Sequence, residues 1–369
     1  MKKKTKPDFI LSISALLMIL LGIIAIASAS IPVATKKISD PLFYIKKHFF
    51  LGIIPGILLG IIFYKISLKS LRKKSLWFFI FTLILTAATL IPHIGITIGG
   101  ARRWINFVFF SFQPSEILKL GFLVYLSAWL ATLPQKISIK KSFFPFLAII
   151  SAPSILLILQ PDISTLGVII VMAAVIYLYS GAPPKNLIIL ALIVIVALAI
   201  LIKIAPYRLN RWLIFLNPEA DPLGRGYQIK QSLIAVGSGG IVGKGLGLSD
   251  QKYGYLPHPF SDSIFAVIAE ETGFLGSLCV IALFFIFAVR GLMISQRYNT
   301  KNVDDKFKSL LAIGIVTWIT FQAIVHIGAN IGILPLTGIP LPFISYGNSA
   351  LIAEFIALSI LLNISKHKS

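Results

Sequence analysis

The chain has 369 residues, of which 57% are hydrophobic and only 13% charged, with a formal net charge of +21. Charge at half the level usual for soluble domains, together with long unbroken apolar runs, excludes a water-soluble fold. Backbone amides in hydrocarbon need internal partners, and runs that do not alternate select helices over a closed barrel, so the expected class is an all-α integral membrane protein.

Ten spans are expected in chain order, over roughly 9–29, 48–64, 76–92, 114–133, 143–159, 163–180, 186–205, 263–289, 309–328 and 349–364. The first follows MKKKTKPDF. Its apolar run is longer than a typical signal-peptide core, so an uncleaved helix is expected although Ala27-Ser28-Ala29 has the form of a cleavage site. The single cysteine, Cys279, lies in an apolar run and excludes an intramolecular disulfide or a cysteine-rich metal site. Basic residues collect in alternate short loops, as in Lys65, Lys69, Arg72, Lys73 and Lys74, and again in Arg290, Arg297, Lys301, Lys306 and Lys308. That asymmetry, with an even number of spans, places both termini in the cytoplasm and reads the charge as topology, so no nucleic-acid partner is expected.

The connection over 206–262 is the exception to short loops. A long connection in a compact protein is usually functional. Its apolar piece from Gln228 to Val236 predicts short helices on the outer face, within a single polytopic domain covering 1–369.

Ionisable groups inside a membrane are costly and mark sites. Glu116 and Lys119, three apart at the start of span four, can pair, and an internal ion pair is the plain structural reading. Asp162 falls between spans five and six, Asp262 at the mouth of span eight, and Glu270, Glu271 and Glu354 deeper, all toward the outer side. Arg102, Arg103, Arg208, Arg211 and Arg225 lie on that same side and suit phosphate, either of a substrate or of lipid headgroups. Glycines 237, 239, 240, 243, 245 and 247 allow two readings, a tight re-entrant turn or a cradle for a lipid diphosphate. Pro335, Pro340 and Pro342 with Gly338 and Gly347 predict a bent re-entrant segment, lining a lateral opening for a lipid tail or simply packed.

Several of these residues stand in motifs. Gly99-Gly100-Ala101-Arg102-Arg103-Trp104-Ile105, then Phe112-Gln113-Pro114-Ser115-Glu116-Ile117, Gln160-Pro161-Asp162, Gly226-Tyr227-Gln228 and the run PLTGIPLPFISYG from Pro335 to Gly347 resemble the SEDS family of peptidoglycan polymerases, in the family's order and over nearly the whole chain. The run GKGLGLSDQKYGYLP is more similar to the family's cell-division member than to its elongation member. The resemblance implies a glycosyltransferase that joins lipid II into glycan strands on the outer face of the bacterial cytoplasmic membrane and releases undecaprenyl diphosphate. It implies Asp262 as the catalytic carboxylate, with Arg102, Arg103, Glu116, Lys119 and Asp162 as substrate-binding residues; the outer-face Arg208 and Arg211, and Gln228 and Ser345 within the motifs, are further substrate-binding candidates. It also implies membrane lipids, a class B penicillin-binding protein and other divisome proteins as partners. A divalent cation, Mg or Mn, is compatible with a diphosphate leaving group, although no ligand spacing demands one. The chain departs from the family pattern around the key carboxylate: His258 replaces Glu, Phe260 replaces His, Ser261 replaces Thr and Ser263 replaces Phe, while Ser164 and Asn348 replace glycines.

Two other classes compete. A lipid II flippase would keep its charges near the midplane, and Glu270 and Glu271 are the residues that support it. A non-catalytic scaffold for the penicillin-binding protein would need none of the carboxylates.

Overall fold

The computed structural model describes residues 6–98, 100–107, 110–134, 139–204, 207–299 and 301–366. The first span is α1 (Phe9–Ile38); the second joins α2 (Phe43–His48), a π-helical turn (Phe49–Ile53) and α3 (Ile54–Lys65). After α4 (Leu68–Lys73) and α5 (Ser75–Ala88) come three strands, β1 (Gly95–Ile98), β2 (Ala101–Phe107) and β3 (Phe110–Phe112). The bundle continues with α6 (Pro114–Thr132), α7 (Ile139–Leu159), α8 (Ile163–Tyr179) and α9 (Lys185–Ile204). Two shorter helices, α10 (Tyr207–Leu216) and α11 (Arg225–Ser238), precede the last spans, α12 (Ile264–Ser295), α13 (Val303–Asn330) and α14 (Asn348–Ser365).

Among the described residues, eight helices are long and apolar enough to cross a membrane. The shorter apolar helices α5 and α8 occupy the positions expected for spans three and six. The chain is a multi-pass helical membrane protein. The small antiparallel sheet β1-β2-β3 is a feature that the all-helical expectation did not contain. Its strands are rich in β-branched and aromatic residues (Ile96, Thr97, Ile98, Trp104, Ile105), which suit a pleated surface better than a helix.

Three helices form the interior: α6, α13 and α14 are mostly buried, whereas α9 at the edge of the bundle is almost wholly exposed. Small residues let backbones approach. Gly52, Gly56 and Gly60 recur every four residues and face Asn348, Phe355 and Ser359 of α14, so this spacing seats the second span on α14.

The two ends of the bundle differ. At one end Asp8 takes Arg290 and Arg297 as ion partners and its amide donates to Ser365 Oγ at 3.0 Å, so the two described chain ends lie together. At the other end gather the sheet, the α7–α8 corner, the 207–262 segment and the proline-rich loop 331–347. Prolines there remove amide donors but leave carbonyls that need partners. Side chains from two helices supply them: Ser164 Oγ donates to Thr337 O at 2.9 Å, His326 Nδ1 meets Ile339 O at 2.8 Å, and Gln322 Nε2 donates to Pro340 O at 3.0 Å.

Candidate active site

Arg103 owes its direction to a slip in the sheet. Thr97 pairs with Arg102 and Ile96 with Trp104, so Arg103 has no partner on β1. Such a bulge re-aims the side chain of the extra residue. The Arg103 guanidinium reaches the corner between α7 and α8, where Nε donates to Gln160 O at 3.2 Å, Nη2 donates to Pro161 O, and Nη1 lies 3.7 Å from Asp162 Oδ1. Arg102 is exposed and donates to Thr97 Oγ1 at 3.3 Å. The motif's two arginines therefore diverge: Arg103 enters the site and Arg102 stays on the sheet surface.

Asp162 is largely occupied by its own fold. It caps α8, accepting from Thr165 N at 3.4 Å and Thr165 Oγ1 at 2.9 Å, and its charge faces Arg103. Glu116 and Lys119 form the expected pair at 2.8 Å, almost fully buried. Lys119 also donates to Gln322 Oε1 at 2.9 Å and lies 4.9 Å from the Trp318 ring, so its donors point into protein.

Asp262 sits half-buried where the long segment enters α12. Its loop is strapped from three sides. Asn330 Nδ2 donates to Asp262 O at 3.0 Å, Ser345 Oγ donates to Ser261 O at 2.8 Å, and Gln228 Nε2 donates to Ser263 Oγ at 3.2 Å. A Cβ on Gly338 would stand 3.8 Å from Asp262 Oδ2, so the left-handed glycine (φ +70) brings the proline-rich loop against the carboxylate. Burial pushes the Asp262 carboxyl above its ordinary pKa, while the charge of His258 and a hydrogen bond from Ser261 pull it back.

Three hollows meet here. A cavity of about 200 Å³ joins Asp262 to Arg103, Arg211, Arg225, Gln228 and His326. A smaller one of about 90 Å³ joins Arg103 to Trp104, Gln113, Glu116, Lys119 and Asp162, sharing Gly338 and Ile339 with the first. An apolar groove of about 360 Å³, with Leu198, Trp212, Phe321 and Ile324 in its walls, shares Arg211, Leu336 and Thr337 with the first cavity. Three arginines around one carboxylate, beside an apolar groove, suit a ligand with a charged phosphate head and a hydrocarbon tail. Among the described residues no group of three His, Cys, Asp or Glu side chains is arranged to hold a metal ion.

The model of the family described as "Cell cycle protein", which spans FtsW, RodA and SpoVE, matches residues 8–369. The chain belongs to this FtsW/RodA/SpoVE family. It is 37% identical over 367 residues to stage V sporulation protein E of Bacillus subtilis, covering 99% of this chain and 98% of that protein. It is 38% identical to the probable peptidoglycan glycosyltransferase FtsW of Buchnera aphidicola subsp. Acyrthosiphon pisum, covering 93% and 85%. Among solved structures, a chain of a peptidoglycan synthase complex that coordinates polymerization and crosslinking superposes with TM-score 0.78 at 28% identity, covering 97% of both chains. RodA of Thermus thermophilus shares the fold, with TM-score 0.71 at 24% identity over 97% of this chain and 96% of that one. The division-type resemblance of the loop sequence agrees with the FtsW relatives.

Within this FtsW-like frame, other expected site residues take different places. Ser345 stands behind the site, buried, accepting from Leu341 N at 2.8 Å while it donates to Ser261 O. The Arg208 backbone lies in α10, and its side chain falls outside the described residues. The glycine run is a tight turn: Lys244 N and Gly245 N donate to the carbonyls of Glu270 and Glu271, and Gly243 and Gly273, both at positive φ, touch across it. Amides spent this way cannot cradle a diphosphate. Glu270 and Glu271 are likewise engaged, by Lys244 at 2.8 Å and Lys252 at 2.7 Å, which removes the free intramembrane charge that a transporter reading would use. Two cavity residues, His326 and Trp104, carried no role in the sequence reading. His326 sits in an apolar helical run, and only packing reveals that it lines the cavity.

Proposed function

We propose that the chain is a peptidoglycan glycosyltransferase that polymerises lipid II into glycan strands during cell division, on the outer face of the bacterial cytoplasmic membrane, with both termini in the cytoplasm. The observation that carries this reading is the shared cavity of Asp262 with Arg103, Arg211 and Arg225, beside an apolar groove that shares Arg211, Leu336 and Thr337 in its walls. The FtsW relatives carry the glycosyltransferase name.

Asp262 acts as the general base. Its carboxylate takes the proton from the acceptor's sugar hydroxyl as that oxygen forms a bond to the donor's anomeric carbon. The bond from that carbon to the diphosphate oxygen breaks, and undecaprenyl diphosphate leaves with the electron pair. A positioned base contributes about 10²–10⁴-fold. The arginines offset the charge that develops on the diphosphate, which is usually the largest catalytic contribution. Asp162 holds Arg103 in place, and the Glu116–Lys119 pair lines the smaller cavity, with Gln322 accepting from Lys119 behind it. The polyprenyl chain occupies the groove beside Arg211. A class B penicillin-binding protein, with other divisome proteins, is the partner that would crosslink the product; the similarity to a chain of a synthase complex supports this.

The test is a gel of glycan products from lipid II, using wild type, Asp262→Ala and Asp262→Asn, each with the transpeptidase partner and with or without Mg or Mn. The expected result is loss of about 10²–10⁴-fold in both variants. Glycan formation by Asp262→Ala at the wild-type rate sinks the assignment. Lipid II flipping in proteoliposomes with no glycan at all sinks the whole reading.

A further inference from the structure

His326 is a second group at the Asp262 cavity that the mechanism above leaves unused. It lies on α13, one helical turn before Asn330, whose side-chain amide donates both to His326 O at 2.9 Å and to Asp262 O at 3.0 Å. One residue thus fixes the backbone of both. The imidazole is 2% exposed and contributes to the cavity wall together with Asp262, Arg211, Arg225 and Gln228.

The two ring nitrogens differ. Nδ1 lies 2.8 Å from Ile339 O. A carbonyl oxygen only accepts, so Nδ1 carries the hydrogen, and in the neutral ring Nε2 is left as an acceptor. Nε2 has no hydrogen-bond partner among the described residues. A buried acceptor without a donor is costly, so a partner that restores the bond is favoured. The cavity's protein donors are arginines suited to phosphate oxygens and Gln228, whose amide donates to Ser263 Oγ, and none of them is bonded to this nitrogen. The complementary need is a hydroxyl or amide N–H donor on the ligand. The sugar of a lipid-linked saccharide carries both, whereas its ionised diphosphate carries neither.

We infer that His326 Nε2 is a substrate-contacting acceptor that receives a hydrogen bond from a sugar hydroxyl or acetamido N–H and so orients the sugar next to Asp262. This rests on the glycosyltransferase reading for the identity of the ligand. It assigns His326 a role in binding and orientation, with no proton transfer.

Two amide substitutions separate this role from a purely structural one. Asparagine places its amide near the Nδ1 position, so His326→Asn keeps the bond to Ile339 O and removes the Nε2 acceptor. Glutamine reaches the Nε2 position, so His326→Gln keeps an acceptor there and gives up the bond to Ile339 O. Lipid II affinity is measured on the full chain in nanodiscs in an Asp262→Asn background, where turnover does not interfere, alongside melting temperature. The expected result is affinity weakened about three- to tenfold by His326→Asn at unchanged melting temperature, and near-parental affinity for His326→Gln even if its melting temperature falls. In the active background, His326→Asn raises KM by a similar factor and His326→Gln does not. The reverse order, with Asn parental and Gln impaired, shows that the latch to Ile339 is all that His326 does and overturns the inference. Equal affinity in all three proteins overturns it too. Absence of glycan from wild type with its partner is a failure of the glycosyltransferase reading alone, because the order of affinities is read without turnover.

Discussion

Lys252 Nζ lies 2.7 Å from Glu271 Oε1, with both side chains almost fully buried, and it also donates to Ser28 Oγ at 2.8 Å. This joins three distant stretches: the first span, the segment before Asp262, and the helix after it. Glu270 next door accepts from Ser249 Oγ at 2.5 Å and from Lys244. The carboxylates of α12 thereby clamp the segment whose far end carries the Asp262 loop.

Breaking that clamp on the lysine side leaves the buried Glu271 carboxylate without its ionic partner, with Ser28 Oγ and the Ser249 amide still donating to it. Lys252→Met is expected to destabilise by about 3–5 kcal/mol. The double variant Lys252→Met with Glu271→Gln should recover most of the loss, since neither charge then remains. Thermal unfolding in detergent measures both, and a double variant as unstable as the single one would contradict the ion-pair account.

Arg103 serves two carbonyls and a carboxylate through one planar group. Lysine has the charge but not the fork. Arg103→Lys is expected to lower kcat/KM for lipid II by about ten- to a hundredfold, from charged hydrogen bonds worth about 1.5–3 kcal/mol each. Arg102→Lys, on the exposed side of the strand, should change it by less than about twofold, as for surface substitutions generally. Polymerisation rates at several lipid II concentrations distinguish the two positions.

Asp262 as the proposed general base must be ionised to work. Burial holds the Asp262 carboxyl above its ordinary pKa, so polymerisation should fall with decreasing pH at a higher pH than an exposed aspartate would give, near 4. The charge of His258 opposes that shift. His258→Ala removes the opposition and moves the acid limb of the rate profile to higher pH, leaving the plateau in place. A limb that stays put or moves down in His258→Ala argues against Asp262 as the group being titrated.

Ser345 bridges Leu341 N and Ser261 O. Ser345→Ala leaves one buried donor and one buried acceptor without their partner, at a cost of about 1–3 kcal/mol each. Melting temperature should drop while lipid II affinity stays within about twofold. An affinity loss at unchanged melting temperature would return Ser345 to direct substrate contact.

The sequence alone carried the span pattern, because hydrocarbon forces each crossing to be a long apolar helix and the lysines collect between them. It also carried the Glu116–Lys119 pair, which helical spacing brings together whatever surrounds it. The motifs named Asp262 and Arg103 by resemblance. Helical periodicity could not say which way Arg102 and Arg103 would part, since that depends on a bulge in a sheet whose register is set by pairing between strands.

The rest was tertiary. The glycine run could have cradled a ligand until its amides were seen bonded to α12 carbonyls. Ser345 and His326 differ in role only through what α13 and the proline-rich loop bring beside them. Composition and pattern determined that this chain is a helical membrane protein whose intramembrane ionisable groups fall toward one end and whose loop lysines fall toward the other, because solvation by lipid acts on every segment independently. Only the packed structure decided which of those residues share the cavity with Asp262, because a cavity is made by contacts between segments far apart in sequence, and no local pattern records them.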